Sequence, residues 1–294
     1  MKKILIFMIF FIFEIISYSI KIENNIAIDS FGNKIPLKEY NRIIIADPSA
    51  VEIFYLIGGE NKISAIARTK INKIYPEDKT KNLESVGAIT KPSIEKILSF
   101  NPELVILNPM GAPKIKSLLK EYNIPYFIDR SVTFEEIFLK TKIYGIFTGR
   151  EKNANALIDE KKNIIKEIEN NIVDKKLKGV VLYSSSPMTS FSKNTIPGEI
   201  LKILKIENLA ENFLDGKSQI LSPDMILKEN PDIIIGTMKI KSSDEIINNN
   251  EFLKYSNAYK NNNIYVFESD KILRATPRIA DGIKEIYEVI KNVK

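Results

Sequence analysis

Arginine, serine, tyrosine and methionine side chains recur just after short apolar runs, where they could bind an anionic or aromatic ligand. An arginine guanidinium offers a planar fork of donors to carboxylates or catecholate oxygens, and tyrosine and methionine offer adaptable apolar surface. Open α/β sheets bind ligands beyond the carboxyl ends of their strands. The candidate ligand-binding residues at such ends and on nearby loops are Ser49, Arg68, Tyr75, Met110, Arg130, Tyr183, Ser185, Met188, Lys193, Met238 and Arg274. Together they predict a cleft with positive edges for a bulky, anionic, partly aromatic ligand.

Histidine and cysteine are both absent from the 294 residues, which limits the chemistry that the chain can perform. Without them there is no Ser–His or Cys–His pair for nucleophilic catalysis, no disulfide and no cysteine for lipid attachment. A His-rich site for bare zinc or manganese is excluded as well. The run Ser184-Ser185-Ser186 lies outside any Gly-x-Ser-x-Gly motif and is interpreted as a polar ligand loop. We therefore expect no catalytic residue, no metal site and no intrinsic cofactor.

A passage of fourteen residues occurs twice, 129 positions apart, and indicates which elements position the candidate residues. The copies, Ser93–Ile106 and Ser222–Ile235, are identical at six positions. Each predicts a short helix that stops at Asn-Pro, because proline disfavours helical backbone in the residue before it. The apolar run that follows is typical of a parallel strand covered by helices on both faces. A duplicated α/β unit at this distance predicts two similar lobes and not a solenoid.

A long helical pattern separates the two units. Apolar residues recur at helical spacing between Arg150 and Asp174, with Glu and Lys between them. We predict an α/β protein of two lobes with parallel-type sheets, joined by a single long bridging helix. The predicted ranges are 1–19 for a signal peptide, 20–149 for the N-terminal lobe, 150–174 for the bridging helix and 175–294 for the C-terminal lobe.

The amino-terminal segment has the pattern of a cleavable signal peptide. Two lysines precede the apolar run Ile4–Phe13, which is too short to span a membrane. Small residues at Ser17 and Ser19 suit a cleavage site, so the mature chain is expected to begin near Ile20. An uncleaved anchor is the alternative, and either reading places the body of the protein outside the cytoplasm. The formal net charge of +6 comes from scattered lysines, which indicates a basic surface and no nucleic-acid partner.

Four motifs occur in the order and spacing of one protein family. They are Asp29-Ser30-Phe31-Gly32-Asn33, the segment from Gly87 to Ile106, Gly149-Arg150-Glu151, and Thr276-Pro277-Arg278-Ile279-Ala280-Asp281-Gly282. On these motifs, residues 26–293 resemble the periplasmic solute-binding proteins of ABC importers for iron-siderophores, heme and cobalamin. The resemblance implies two α/β lobes joined by one long helix, with the ligand in the cleft between them.

The same resemblance gives the duplicated passage a role in docking. In this family one acidic residue on each lobe pairs with arginines of the permease dimer, and the matching positions are Glu95 and Asp224. The alternative is that both are first-turn helix acids after the caps Ser93 and Ser222. Asp224 is shorter than the Glu more usual at its position, which leaves the reach of that contact open.

By this resemblance the chain is a monomeric periplasmic protein that captures a metal chelate and delivers it to an ABC permease dimer through both lobes. A ferric siderophore is the first candidate ligand, and heme or cobalamin is the alternative. Heme would take an axial ligand from Tyr75 or Tyr183. Rival readings are an extracytoplasmic enzyme on the same fold and a membrane-anchored sensor or adhesin. The alternative for Arg68 and Arg274 is that they are surface residues or residues that brace the lobes.

Overall fold

Two α/β lobes joined by a long helix make up the described part of the chain. The computed structural model describes residues 19–68, 73–212, 218–291 and 293. The predicted signal peptide lies almost wholly outside the described residues, and Thr69 and Lys70 beside the candidate Arg68 lie outside them too. None of the helices formed by the described residues is long and apolar enough to cross a membrane.

A small antiparallel sheet opens the described chain. Its strands are β1 (Lys21–Glu23), β2 (Ile26–Ile28) and β3 (Lys34–Pro36). Asn24 and Asn25 have φ angles of 46° and 61° and form the two-residue turn between β1 and β2. The second hairpin pairs β2 with β3 in antiparallel register, with Ala27 opposite Ile35. Asp29 ties this sheet to the first lobe, because its Oδ2 accepts a hydrogen bond of 2.7 Å from the backbone N–H of Ile128.

The sheet of the first lobe is parallel except at one edge, where a short strand runs antiparallel to its neighbour. Its order is β7-β6-β5-β4-β8-β9. Its strands are β4 (Ile43–Ala46), β5 (Ile63–Arg68), β6 (Ser85–Ala88), β7 (Lys91–Pro92), β8 (Leu104–Leu107) and β9 (Tyr126–Ile128). Its helices are α1 (Pro48–Ile57), α2 (Glu77–Thr80), α3 (Ile94–Ser99) and α4 (Ala112–Glu121), with a 3-10 turn at Glu60–Lys62. The central strands are buried on both faces, as their unbroken apolar runs predict.

Two helices fill the stretch between the lobes. They are α5 (Phe134–Thr148) and α6 (Glu151–Asn171), separated by Gly149 in the left-handed conformation at φ 67°. A capping box begins α5, since Thr133 Oγ1 accepts from the Glu136 backbone and the Glu136 side chain accepts from the Thr133 backbone. The second of these helices corresponds to the predicted bridging helix and ends three residues earlier, at Asn171 instead of Asp174.

The sheet of the second lobe is mixed. Its order is β13-β11-β10-β14-β15, and β12 pairs with β10. Its strands are β10 (Lys178–Ser185), β11 (Met188–Phe191), β12 (Glu207–Asn208), β13 (Ser218–Ile220), β14 (Ile233–Gly236) and β15 (Ile264–Val266). Its helices are α7 (Ile196–Ile203), α8 (Pro223–Glu229), α9 (Ser243–Asn249), α10 (Asn257–Lys260), α11 (Ser269–Ile272) and α12 (Ile279–Ile290), with 3-10 turns at Leu209–Asn212 and Glu251–Tyr255. Among the described strands of this sheet, β10 pairs in parallel with β12 and β14, and β14 pairs in parallel with β15, whereas β11 pairs antiparallel with β10 and β13.

The core of the second lobe extends onto the helices between the lobes. Phe134, Ile137 and Phe138 at the start of α5 are buried in one apolar cluster with residues of α7 and α12. The bridging helix α6 packs against α5 on one side and against α12 on the other. The helical segment is therefore packed along both lobes and is not an exposed tether. The exact lobe boundaries stay a prediction.

The duplicated passage forms the same structure in both lobes. Ser93 Oγ accepts from the Lys96 backbone at 3.2 Å to cap α3, and Ser222 Oγ accepts from the Met225 backbone at 3.3 Å to cap α8. Asn101 and Asn230, which precede the prolines, have left-handed φ angles of 47° and 50°. Asparagine tolerates this conformation, so asparagine as well as proline ends each helix.

Candidate ligand-binding cleft

A cavity of about 1360 Å³ lies between the two lobes. Small-molecule pockets usually measure about 300–1,000 Å³, so this one suits a bulky ligand. The first lobe contributes Asp47, Pro48, Ser49, Arg68, Ser85, Gly87, Ala88, Ile89, Thr90, Asn108, Pro109, Met110, Asp129, Arg130, Ser131 and Val132. The second contributes Tyr183, Phe191, Asn194, Thr195, Ile196, Pro197, Met238, Ser269, Asp270, Leu273, Arg274 and Ala275.

Seven of the eleven candidate ligand residues line this cavity. They are Ser49, Arg68, Met110, Arg130, Tyr183, Met238 and Arg274. They come from both lobes because the carboxyl ends of the parallel strands β4, β5, β8, β9 and β14 face the same gap. Sequence reasoning missed lining residues at the start of α7, such as Thr195 and Ile196, and between β6 and β7, such as Ile89.

Ser185 and Met188 lie outside the cavity because the predicted ligand loop is a turn between two paired strands. Strands β10 and β11 run antiparallel, with Ser185 opposite Met188. Ser185 Oγ donates to Glu245 Oε1 at 3.0 Å and accepts from Asn249 Nδ2 at 2.9 Å. Met188 is buried in the core of the second lobe. Both side chains are therefore engaged in holding the lobe together.

Tyr75 and Lys193 also lie outside the cavity lining. The Tyr75 ring is stacked under the guanidinium of Arg278, whose Cζ lies 4.1 Å from the ring centroid. Lys193 is exposed, although the next residue along, Asn194, does line the cavity. Of the two candidate heme ligands, only Tyr183 contributes to the wall, and its ring packs against Phe191 with centroids 5.3 Å apart.

Arg68 and Arg274 line the cavity but already hold protein groups. Arg68 Nη2 donates to three backbone carbonyls, those of Thr80, Lys81 and Leu83, at 3.2, 2.9 and 2.5 Å. Arg274 Nη1 lies 3.0 Å from Glu52 Oε2, and its Nη2 donates to the Lys73 carbonyl at 2.8 Å. These contacts match the alternative in which both arginines brace the protein.

Glu52 is the centre of a buried polar contact between the lobes. It lies on α1 of the first lobe with no exposed surface, and its partners come from the chain between α11 and α12. Besides Arg274, Thr276 Oγ1 donates to Glu52 Oε1 at 2.6 Å. Arg278 Nη1 approaches the same oxygen at 3.3 Å without hydrogen-bond geometry, and its Nη2 lies 3.5 Å from Asp270. In the sequence, Glu52 stands out as the single acid within the otherwise apolar helix α1, and sequence reasoning missed this signal.

A second buried polar cluster lies behind the first-lobe wall. Lys140 on α5 is fully buried, and its Nζ donates to Asp129 Oδ2 at 2.5 Å and to Ser49 Oγ at 3.5 Å. Asp47 caps α1 by accepting from the Ser49 backbone at 2.7 Å. Burial raises the pKa of the Asp47 carboxyl, and the charge of Lys140 opposes that shift. Sequence reasoning missed Lys140 because a lysine in a helix is usually a solvated residue.

The remaining cavity wall is largely apolar. The aromatic pair Tyr183 and Phe191 lies on the second lobe with Pro197 and Leu273 beside it. Met110 from the first lobe and Met238 from the second are 66% and 43% exposed, so each presents a thioether to the gap. No group of three or more Asp and Glu residues that could hold a metal ion occurs within the described ranges. The arrangement can enclose a large, partly apolar molecule.

Comparisons with known proteins agree with this geometry. A family model described as periplasmic binding protein matches residues 43–271. An uncharacterized ABC transporter substrate-binding lipoprotein of Bacillus subtilis, YvrC, is 27% identical over 86% of this chain and 81% of its own length. A vitamin B12-binding protein of Vibrio parahaemolyticus is 24% identical over 86% and 90%. A crystal structure of a possible iron-binding periplasmic solute-binding protein from Staphylococcus epidermidis has a TM-score of 0.73 at 28% identity, covering 86% of this chain and 99% of that one.

Two α/β lobes, a helix between them and a cavity at their junction, together with the family match, identify an ABC-type substrate-binding protein. The chain belongs to the periplasmic binding protein family, whose model matches well over half of it. Membership implies a permease and a small-molecule ligand as partners. The predicted fold class and family resemblance are thereby confirmed.

Proposed function

We propose that this protein captures a metal chelate in the cavity between its lobes, outside the cytoplasm, and delivers it to an ABC importer without chemical change. The observation that carries the proposal is the size of the cavity, about 1360 Å³, together with walls supplied by both lobes. A ligand enclosed on two sides buries most of its surface, which is the source of affinity in such sites. A ferric siderophore is the first candidate, and the largely apolar wall also suits heme or cobalamin.

Calorimetric titration tests this proposal directly. The purified exported protein is titrated with a ferric siderophore, hemin and cyanocobalamin. Saturable binding of one molecule of at least one chelate per protein is expected. No saturable binding to any of the three classes would reject the proposal. Because the chain contains no tryptophan, tyrosine fluorescence offers a second readout for chelates that do not absorb in that range.

The docking role of Glu95 and Asp224 is a further part of the proposal. Both are exposed in the first turn of a helix, α3 or α8, at the same position after the capping serine. Ser93 Oγ donates to Glu95 Oε2 at 2.6 Å, and this hydrogen bond holds the pKa of Glu95 below its usual value. An ionised acid on each lobe suits arginines on each half of a symmetric permease dimer.

Charge reversal separates docking from ligand binding. Glu95→Lys and Asp224→Lys are expected to abolish uptake in cells while the affinity for the chelate stays unchanged. Glu169→Lys, an exposed acid on the bridging helix, is the matched control and is expected to keep uptake. If the two docking variants lose chelate affinity instead, these acids serve the cleft and the docking proposal is wrong.

Export and oligomeric state complete the proposal. We propose that residues 1–19 are cleaved as a signal peptide, that the protein is periplasmic, and that it acts as a monomer. Ile20 supports cleavage at this point, because its side chain is buried in the core of the first lobe. Mass measurement of the exported protein tests the cleavage site, and an intact Met1 would show that the segment is kept as an anchor.

A further inference from the structure

We infer that the cavity takes a large, mostly uncharged chelate that carries one anionic substituent, and that Arg130 binds this substituent. This ligand class rests on the proposed function. It follows from the charges of the residues at the cavity wall. The charged residues that line the cavity are Asp47, Arg68, Asp129, Arg130, Asp270 and Arg274. Whether a charge is free for a ligand depends on the protein groups that already hold it.

Two of the three arginines at the wall are held by the protein. Arg68 donates to the three backbone carbonyls that precede β6, and those contacts fix the chain there. Arg274 pairs with the buried carboxylate of Glu52 and donates to the Lys73 carbonyl. A ligand anion would have to displace these partners to bind either guanidinium through the same nitrogens. The cleft is therefore less positive than its count of arginines predicts.

Acidic residues at or beside the cavity wall neutralise most of the positive charge of the neighbouring lysine and arginines. Asp129 is paired with Lys140. Asp270 and Glu52 together offset Arg278 and Arg274. Asp47 has no ion pair within the described ranges, and its negative charge, where ionised, cancels that of Arg68. Among the described residues at the cavity wall, one positive charge is left, that of Arg130.

Arg130 is placed to use its charge on a ligand. It follows β9 at the cavity wall, and its backbone N–H donates to Ser30 Oγ at 3.1 Å, which fixes its position. Its guanidinium has no hydrogen bond or ion pair to any residue in the described part of the chain, and it is half-buried. A guanidinium beside an apolar wall binds a planar or tetrahedral anion through two parallel hydrogen bonds.

Additional anionic groups on the ligand would find no such partner among the described residues that line the cavity. They would lie against the Tyr183 and Phe191 rings or beside the carboxylates of Asp47 and Asp129. Burying an unpaired charge is strongly unfavourable. The cavity therefore selects against a triply negative ferric tris-catecholate and in favour of a chelate with one phosphate or carboxylate.

A titration series in ligand charge tests the inference. The probes are a neutral ferric tris-hydroxamate, cyanocobalamin with its single phosphodiester, and a ferric tris-catecholate, each titrated by calorimetry at one ionic strength. Cyanocobalamin is expected to bind more tightly than the tris-catecholate. Arg130→Met is expected to weaken cyanocobalamin binding about 10- to 100-fold, the loss of one charge-assisted hydrogen-bonded contact, and to leave tris-hydroxamate binding unchanged.

Control variants separate this role from misfolding and from general charge. Arg130→Lys keeps the charge without the planar fork and is expected to recover part of the lost affinity. Lys142→Met, at an exposed base on α5, is the matched control and is expected to change nothing. Tightest binding of the tris-catecholate, or unchanged cyanocobalamin binding in Arg130→Met, would overturn the inference and leave the proposed function intact. Failure of all three probes and of hemin would reject the proposed function itself.

Discussion

Several charged side chains at or behind the cleft wall bind other protein groups. Lys140 and Asp129 form an ion pair with almost no exposed surface behind the first-lobe wall, 2.5 Å apart. Such a pair adds little net stability as a unit, but removing one partner leaves an uncompensated buried charge. The pair therefore makes the first-lobe wall dependent on both residues.

Replacing Lys140 should be strongly destabilising. Lys140→Met is expected to lower the free energy of unfolding by about 3–5 kcal/mol, because Asp129 is left buried without a cation. The double variant Lys140→Met/Asp129→Asn is expected to recover part of that loss. Urea unfolding at neutral pH measures both. Equal stability of Lys140→Met and the natural protein would contradict this account of the pair.

The ionisation of Asp47 makes the free energy of unfolding depend on pH. Burial raises the pKa of its carboxyl above the ordinary value of 3.8 in the folded state. The ionised form therefore costs stability above the folded pKa, and the cost disappears as pH falls through that pKa towards 3.8. Asp47→Asn keeps a good helix cap and removes the charge.

The expected result for Asp47→Asn is stability equal to or above that of the natural protein near neutral pH. Its advantage should shrink as pH falls, because the natural protein then protonates Asp47. Urea midpoints compared across the acidic range test this. An advantage that grows as pH falls would show the opposite sign of the pKa shift and contradict the role of burial.

Helix ends in the duplicated passage depend on single residues. Asn101 and Asn230 occupy the left-handed region after α3 and α8, which lets the chain turn directly into the buried strands β8 and β14. An alanine pays about 1–2 kcal/mol for that conformation, and glycine does not. The geometry that the two copies share therefore depends on the left-handed backbone conformation of these asparagines as much as on the prolines that follow them.

Substitutions at Asn101 test this. Asn101→Ala is expected to lower the free energy of unfolding by about 1 kcal/mol, and Asn101→Gly is expected to leave it close to the natural value. Thermal and urea unfolding of the two variants provide the comparison. A Gly variant as unstable as the Ala variant would mean that the side chain, and not the backbone conformation, is what the position requires.

The elements of the fold follow from the sequence wherever the pattern is local. The caps Asp47, Ser93 and Ser222 and the capping box at Thr133 join residues three or fewer positions apart, so each depends on local sequence alone. The strand pairing of β10 with β11 is not local in this sense. It converts the predicted serine loop into a paired turn, and it buries Met188.

Part of the cleft could also be predicted, because the carboxyl ends of parallel strands face one edge of a sheet. That rule located Ser49, Arg68, Met110, Arg130 and Met238 at the cavity wall. It could not show which arginines are free, since Glu52 and Arg274 are 222 positions apart and meet only when the lobes pack. The number of arginines available to a ligand could therefore not be predicted from the sequence.

At the scale of the whole molecule, the contact around Glu52 connects the two lobes beside the cavity. The acid on α1 accepts from Arg274 and Thr276 of the second lobe and has no exposed surface. Together with α6, which packs along both lobes, it fixes their relative position. A cavity held this way is preorganised for its ligand.

Removing the charge of Glu52 should weaken the connection between the lobes. Glu52→Gln is expected to lower the free energy of unfolding by about 3–5 kcal/mol and to speed release of the bound chelate. Glu77→Gln, which breaks an exposed pair with Lys73, is the control and should cost less than about 1 kcal/mol. Unfolding curves and stopped-flow release measure the two effects. Equal losses in both variants would contradict the connecting role.

The most direct test of the central claim is whether filling the cavity abolishes chelate binding. Ala88 is exposed at the cavity wall, so Ala88→Trp adds a large side chain there without disturbing the core. Ala156→Trp, exposed on the bridging helix, is the matched control. Calorimetry with the chelate that binds the natural protein should show loss of binding in Ala88→Trp and full affinity in Ala156→Trp. Unchanged affinity in Ala88→Trp would place the ligand elsewhere and contradict the account.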